Sequence, residues 1–319
     1  MELLPILSDS DVAAAARLSA EAHAGLRKAL PFLPERTASH FIPKLAWIRD
    51  KGRLLAMGDG GAIRAFLGGF VIKDFRNAGP GAYGPDWCHG CAEGVDALRA
   101  YRDLYRILAP SFIGDGARIH AFSLYGSEKE ALEAFSLTGF GRIVLDAARP
   151  TEELIRELGK AEPAAGCAIR RAGASDAAAL TGLDALLAAH IEASPVLMPR
   201  PHGRDEGKWR EWFAARDAAA FVAEAADGGL VGFIKAEAPQ FDVSNAVHAE
   251  TTLAIDGMFV APRARAAGIG RRLLAALAEH ARAQGKSMVS VDCETTNPEA
   301  YAFWSRHFRP VAWSLERRV

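Results

Sequence analysis

Two hairpin patterns recur along this chain of 319 residues. Each consists of two short runs of strand-forming hydrophobic residues on either side of an Asp-Gly-Gly turn, Asp59-Gly60-Gly61 in the first and Asp227-Gly228-Gly229 in the second. Asp-Gly and Gly-Gly turns supply the positive φ angles that tight loops need. The pattern therefore predicts hairpins over residues 53–72 and 219–238.

Helical periodicity precedes both hairpins. Apolar residues recur at helical spacing after a Ser/Asp pair in residues 10–27 and again in residues 175–193. A second helix is expected after each of these, at about 35–50 and 204–216. The two halves of the chain thus share one order of predicted elements.

A shared interval supports an internal duplication. The 168 residues that separate Asp59 from Asp227 also separate Phe135 from Phe303 and Phe140 from Phe308. We expect two domains, residues 1–150 and 164–319, with a short linker within residues 160–166. An unrelated mixed α/β domain in the first half is the alternative.

A glycine-containing loop follows a short apolar strand in the second half. The strand ends at Met258-Phe259-Val260, and the loop Arg265-x-x-Gly268-x-Gly270 opens an amphipathic helix. Glycines let the backbone approach a ligand closely, and the amides at a helix start favour negative charge. The spacing matches neither a Walker loop nor a Rossmann turn. It predicts a pyrophosphate site, with an ordinary strand-to-helix turn as the alternative.

The loop and the fifty residues after it resemble the GNAT acyltransferase superfamily, whose signature is Arg/Gln-x-x-Gly-x-Gly/Ala between the fourth strand and the third helix. A strand at 288–293 and a helix that begins at Asn297 follow in the family's order. Two positions depart from the pattern, because Trp304 replaces a tyrosine and His307 replaces a glycine. The resemblance implies an α/β (α+β) fold of two tandem GNAT-like domains, each a mixed, mostly antiparallel sheet flanked by helices.

The first half lacks the signature. No Arg-x-x-Gly-x-Gly occurs between Tyr83 and Tyr105, and Lys129 and Ser136 occupy the positions that correspond to Asn297 and Trp304. We therefore expect a degenerate N-terminal copy with a structural role.

The resemblance also implies acetyl-CoA (coenzyme A) as the co-substrate, with no metal. Its pyrophosphate is expected on the loop amides, its pantetheine arm along the splayed strand, and Asn297 beside the arm or as a helix N-cap. The expected cofactor-binding residues are Met258, Phe259, Val260, Arg265, Ala266, Ala267, Gly268, Ile269, Gly270, Arg271, Asn297 and Trp304.

Two catalytic residues are predicted. Asp256 is the candidate general base, since strand alternation places it on the same face as Met258 and Val260; a bulge residue or a surface charge is the alternative. Tyr301, three residues before Trp304, is the candidate donor to the leaving thiolate. Its alternative is a packing aromatic. The connector that carries His190, Glu192 and His202 borders the acceptor site in GNAT folds.

Composition limits the possible partners. The formal net charge of −1 and the sequence pI of about 6.8 argue against general affinity for nucleic acids or anionic membranes. No long apolar run and no basic leader are present, so we expect a soluble cytoplasmic protein, monomeric or homodimeric. The expected acceptor is a small-molecule amine or a peptide N-terminus.

The sequence is compatible with three functions. The sequence favours an acyl-CoA-dependent N-acyltransferase, with acetyl transfer to an amine by direct attack in a ternary complex. A catalytically silent acyl-CoA sensor or regulator is the second, suggested by the missing tyrosine. A redox module at Trp87-Cys88-His89-Gly90-Cys91 is the third, and it requires a thiol pKa below the ordinary value.

Overall fold

The computed structural model describes residues 1–159, 167–199, 203–215, 218–241 and 243–319. The chain divides into two units that interleave along the sequence. The first unit contains Met1–Asp146, Ser244–Ala246 and Pro310–Val319, and the second contains Ala147–Val243 and Val247–Arg309. The expected linker at 160–166 lies outside the described residues.

The first unit has a sheet with strands in the order β1-β2-β3-β4-β6-β13. Only β4 and β6 pair in parallel, and the short strand β5 pairs with β3. Its strands are β1 (Glu2–Pro5), β2 (Arg53–Asp59), β3 (Ala62–Ile72), β4 (Gly81–Gly84), β5 (His89–Cys91), β6 (Ile119–Tyr125), the first part of β7 (Gly141–Pro150) and β13 (Arg309–Arg318). Its helices are α1 (Asp9–Ala29), α2 (Ala38–Lys51), α3 (Ala97–Gly114) and α4 (Lys129–Leu137).

The second unit has a sheet with strands in the order β8-β9-β10-β11-β12, in which only β11 and β12 are parallel. Its strands are β8 (Cys167–Arg171), β9 (Ala219–Ala225), β10 (Leu230–Glu237), β11 (Thr252–Val260) and β12 (Met288–Glu294). Its helices are α5 (Thr151–Leu158), α6 (Ala177–Glu192), α7 (Glu206–Phe213), α8 (Ile269–Ala283) and α9 (Pro298–His307). Short 3₁₀ turns cover Ala174–Asp176, Asn245–Val247 and Pro262–Ala264.

The element order repeats. The series from β1 to β7 corresponds to the series from β8 to β13, apart from the additional β5 and the intervening α5. Both predicted hairpins are present, as β2–β3 and β9–β10, and Gly60, Gly61 and Gly228 have the positive φ angles that their turns require. The predicted fold class, a mixed and mostly antiparallel sheet flanked by helices, is confirmed.

Local signals account for the helix ends near the site. The side chains of Leu273, Leu274 and Leu277 form the fully buried face of α8. Gly285, with φ of +69°, follows the end of this helix and supplies the left-handed residue that commonly terminates helices.

Within the described part of the chain, no helix combines the length and apolarity that crossing a membrane would need.

The last strand lies in the first unit. β13 pairs antiparallel with β6, from Ala312 opposite Tyr125 to Arg318 opposite Ile119. The domain span expected from the sequence, 164–319, includes this strand, and these bounds remain a prediction. Hydrophobic alternation indicates that a strand has a buried face, but it does not identify the strand beside it, so the sequence pattern could not reveal this partner.

Candidate active site

The glycine-containing loop connects β11 to α8. Ala266 and Gly268 both have left-handed backbone conformations, with φ of +63° and +73°, and α8 begins directly afterwards at Ile269. The N–H of Arg272 donates to the carbonyl of Gly268 at 3.1 Å. The amides before Arg272 therefore lie ahead of the helical hydrogen-bond ladder, where N–H groups are available to an anion and the helix dipole is positive.

A cavity of about 440 Å³ lies against this loop. Every predicted cofactor-binding residue except Ala267 lines it. A Cβ at Gly270 would come within 3.5 Å of Phe303 and 3.6 Å of Met258, so a side chain there would contact two other lining residues. The lining residues that the sequence did not suggest are Leu187, Ala264, Glu299, Ala300, Phe303 and Arg306, and His190 of the connector also lines the cavity.

Strand β11 is paired on one edge and open on the other. Its parallel pairs with β12 run from Thr252 opposite Met288 to Ile255 opposite Val291, whereas its pairs with β10 continue to Val260. Beyond Ile255 the edge of β11 facing β12 is therefore free to donate hydrogen bonds to a ligand.

A smaller cavity of about 90 Å³ adjoins the open edge. Asp256, Asp292 and Glu294 contribute carboxylates to its lining, and none of its described lining residues is basic. The two cavities have five lining residues in common, Leu187, Met258, Asn297, Ala300 and Trp304. The loop amides and the open strand edge therefore border two adjoining cavities.

The arginines around the loop already have protein partners. Arg265 donates through Nε to the carbonyl of Val260 at 3.1 Å and through Nη1 to Glu299 at 2.5 Å. Arg271 donates to the carbonyl of Leu158, the last residue of α5, where a cation is favoured by the helix dipole. Both arginines line the cavity, and Glu299 opposes the charge of Arg265.

Asp256 is the extra residue of a β-bulge. Lys235 of β10 lies opposite Gly257, and Ala236 lies opposite Ile255, so Asp256 has no counterpart. Its carboxylate forms ion pairs with Lys235 and, at 3.0 Å, with Arg204. Burial alone would raise the pKa of Asp256, but the two cations outweigh it and hold the pKa below its usual value. A general base needs a pKa nearer the working pH, so this environment favours the bulge alternative over the predicted catalytic role.

Glu237 is a carboxylate that sequence reasoning missed. It lies at the end of β10, 3.7 Å from Arg204, and burial followed by the charge of Asp256 raises its pKa above the usual value. The two carboxylates have pKa values shifted in opposite directions, as in sites where one is held ionised and the other exchanges a proton. Glu237 is not among the residues that line either cavity, so it would reach a substrate only through water.

The remaining predicted residues lie on or beside α9. The side chain of Asn297 caps this helix, accepting from the N–H of Ala300 at 3.2 Å, and its Nδ2 lies 3.4 Å from Nε2 of His190. Trp304 is almost fully buried and packs edge-on against Phe303 with ring centroids 4.9 Å apart. Tyr301 is half-buried and is not among the residues that line either cavity. His202 lies outside the described residues.

The cysteine pair does not have the properties of a redox site. Burial raises the pKa of the Cys88 thiol, and burial together with nearby carboxylates raises that of Cys91 to about 11. A reactive thiol requires the opposite shift, so the redox alternative is wrong. Within the described residues, no group of three or more His, Cys, Asp or Glu side chains is arranged to hold a metal ion.

Comparisons with known proteins agree with this geometry. Residues 184–308 match the model of the acetyltransferase (GNAT) family. Over 115 residues, the chain is 32% identical to aminoglycoside N(6')-acetyltransferase type 1 of Serratia marcescens, an alignment that covers 36% of this chain and 76% of that relative. The chain belongs to the GNAT acetyltransferase family.

The GNAT fold extends over the whole chain. The crystal structure of a GCN5-related N-acetyltransferase from Sphaerobacter thermophilus superposes with a TM-score of 0.60 and 15% sequence identity, covering 99% of this chain and 95% of that one. The family match lies in the second half, which also contains the signature loop.

Proposed function

We propose that the second unit transfers an acetyl group from acetyl-CoA directly to an amine bound in the same cleft. The observation that carries this proposal is that two features border adjoining cavities: the amide-rich start of α8 and the open edge of β11. The first suits a pyrophosphate, and the second offers the N–H donors that a thioester and an oxyanion require.

Different residues bind the coenzyme, stabilise the oxyanion and accept the proton. Backbone amides from Ala266 to Arg271 hold the pyrophosphate, with Arg265 adding charge. The open edge from Met258 to Val260 binds the pantetheine arm and stabilises the oxyanion that forms when the amine attacks the thioester carbon. Acetyl-CoA supplies the activated acetyl group. The amine loses a proton through water toward Glu237, the C–S bond breaks, and solvent protonates the thiolate because Trp304 lacks a phenolic hydroxyl.

The acceptor proposed for this cleft is a cationic amine. The described residues that line the smaller cavity include Asp292 and Glu294 and no basic side chain, while the third carboxylate, Asp256, is already paired with Lys235 and Arg204. Opposite charge lowers the free energy of binding a protonated amine and raises its encounter rate. The relative named above is an aminoglycoside acetyltransferase, which makes aminoglycosides the first acceptors to test.

The first unit is proposed to be a degenerate copy without a coenzyme A site. Its helix α3 corresponds in order to α8, and the carboxylate of Asp96 caps its start by accepting from the N–H of Arg99 at 3.0 Å. An acidic side chain at this helix terminus occupies a hydrogen-bond position that a phosphate would use and repels a second anion. We expect one acetyl-CoA bound per chain.

Two measurements on the full chain test the proposal. Isothermal titration calorimetry with acetyl-CoA measures affinity and stoichiometry, and release of free thiol from acetyl-CoA measures turnover with aminoglycosides, polyamines and peptide N-termini. Binding with amine-dependent thiol release is the expected result. Absence of heat at millimolar acetyl-CoA contradicts the proposal, and binding without turnover across the panel favours the sensor.

A further inference from the structure

A fully buried lysine lies beside the opened strand. The side chain of Lys235 has no solvent exposure, and its ammonium group donates to the backbone carbonyl of Asp256 at 2.6 Å as well as contacting the Asp256 carboxylate. Removing an ammonium group from water is strongly unfavourable unless partners compensate. Lys235 therefore holds a position on β10 that an apolar residue would fill at lower cost.

The position of Lys235 coincides with the irregularity in β11. The register of β10 and β11 shifts between Lys235 and Ala236, and the parallel pairing of β11 with β12 ends at the neighbouring Ile255. Gly257 has φ of +148°, and a Cβ there would lie 3.2 Å from Cε of Lys235. The lysine stem thus fills the space beside the bulge. Its ammonium donates to the carbonyl of Asp256, as a backbone N–H of the neighbouring strand would in a regular sheet.

The surroundings fix this pair in place. Arg204 makes a second ion pair with Asp256, and its backbone N–H donates to the buried carboxylate of Asp184 at 2.7 Å. Gly203 packs against the backbone of α6, since a Cβ there would come within 2.8 Å of the Asp184 backbone. Lys235 and Arg204 thus hold the Asp256 carboxylate from two sides, which keeps its position in the bulge fixed.

We propose that Lys235 is a positioning residue for the acetyl transfer. By binding both the carbonyl and the carboxylate of Asp256, it maintains the bulge that directs the amides of Met258 to Val260 toward the cleft. Asp256 serves as its anchor and does not remove the proton of the amine. This inference rests on the proposed function, and one of its tests is independent of activity.

The first test compares Lys235→Met with Lys208→Met in the full chain. Lys208 is an exposed lysine of α7 in the same unit and serves as the matched control. Since loss of one oxyanion donor lowers kcat by about 10²- to 10³-fold, Lys235→Met is expected to lower kcat by about 10²-fold. The KM for acetyl-CoA should change by less than about threefold, because the loop amides are untouched.

Hydrogen–deuterium exchange of the peptide spanning residues 252–261 gives the readout that needs no turnover. Lys235→Met should increase exchange there by at least about tenfold, with peptides of β9 unchanged. If the wild-type protein binds no acetyl-CoA, the proposed function fails while this measurement still tests the bulge. Unchanged exchange together with unchanged kcat would overturn the role of Lys235.

A second pair of variants separates positioning from folding and from proton transfer. Lys235→Met leaves the Asp256 carboxylate with Arg204 as its one remaining cation, so Lys235→Met/Asp256→Asn removes both members of the pair and should recover stability while keeping the low kcat. Asp256→Asn alone keeps the lysine–carbonyl contact, so kcat should fall by less than in Lys235→Met and the ascending limb of the pH profile should persist. A loss of 10²-fold or more in Asp256→Asn, with disappearance of the ascending limb of the pH profile, would identify Asp256 as the base and overturn the inference.

Discussion

Gly268 offers the sharpest test of the anion site. It has a left-handed backbone conformation directly before α8, and a Cβ there would meet no atom within 4 Å. Gly285, just past the other end of α8, has nearly the same φ, +69° against +73°, and equally open surroundings. The variants Gly268→Asp and Gly285→Asp therefore introduce the same charge and similar backbone strain at opposite ends of one helix.

The expected magnitudes follow from electrostatics. A left-handed aspartate costs about 1 kcal/mol of folding stability at either position, and the helix dipole makes this cost smaller at Gly268 and larger at Gly285 by about 0.3 to 1 kcal/mol. At Gly268 the added carboxylate also faces the bound pyrophosphate; two unit charges about 6 Å apart at an effective dielectric constant of 20 repel by roughly 3 kcal/mol. That energy corresponds to a loss of about 10²-fold in affinity for acetyl-CoA. At Gly285 the carboxylate lies one helix length away, and screening leaves little effect.

Calorimetric titration of acetyl-CoA into each variant measures the difference. Gly268→Asp should bind about 10²-fold more weakly than Gly285→Asp, and the gap should narrow at high salt. Thermal unfolding checks that both variants are fully folded at the temperature of the titration. Equal affinities in two folded variants would refute the assignment of the pyrophosphate to this loop.

Three further predictions concern other parts of the chain. Glu299→Gln should tighten acetyl-CoA binding about threefold, because it removes the anion that pairs with Arg265. The control Glu279→Gln, on the outer part of α8, should leave the affinity unchanged. Equal calorimetric affinities of the two variants would contradict this prediction. Trp304→Tyr should have a kcat about tenfold above that of Trp304→Phe, because only the former provides a hydroxyl for the leaving thiolate, and identical steady-state rates would contradict this. Burial, with repulsion from nearby arginines, lowers the pKa of His120 to about 4. The unfolded chain therefore binds its proton first, and the free energy of unfolding falls as pH drops from about 6.5 to 4, by up to roughly 3 kcal/mol. Urea unfolding of His120→Asn should show a shallower pH dependence than the wild type over that range.

Local patterns in the sequence were sufficient for the elements and for the loop. The turns at Gly60 and Gly228, the buried face of α8 and the cap at Asn297 each depend on neighbouring residues alone. The same is true of the amides around Gly268, since glycine spacing at a helix start is a property of a few consecutive positions. Every predicted cofactor-binding residue but Ala267 lines the cavity for this reason.

Contacts between distant segments escaped prediction. The assignment of Asp256 as a base assumed regular alternation along β11, and the bulge opposite Lys235 breaks that alternation. Nothing in the sequence pairs Lys235 or Arg204 with Asp256, because they lie 21 and 52 residues away. The raised pKa of Glu237 likewise depends on burial and on the neighbouring charge of Asp256. The Cys88 thiol illustrates the converse, since a local motif suggested reactivity and its burial removed it.

The membership of β13 in the first unit bears on how the protein is made. Ribosomes deliver the chain from the N-terminus, so β6 emerges roughly 10 to 30 s before the strand that covers it at common elongation rates. During that interval an edge with unsatisfied backbone groups is exposed to other nascent chains. A fragment ending at residue 150 would keep this edge permanently. Expression of residues 1–150 alone should therefore yield aggregation-prone protein. To produce the first unit separately, residues 310–319 must be joined to it, for example in a circular permutant.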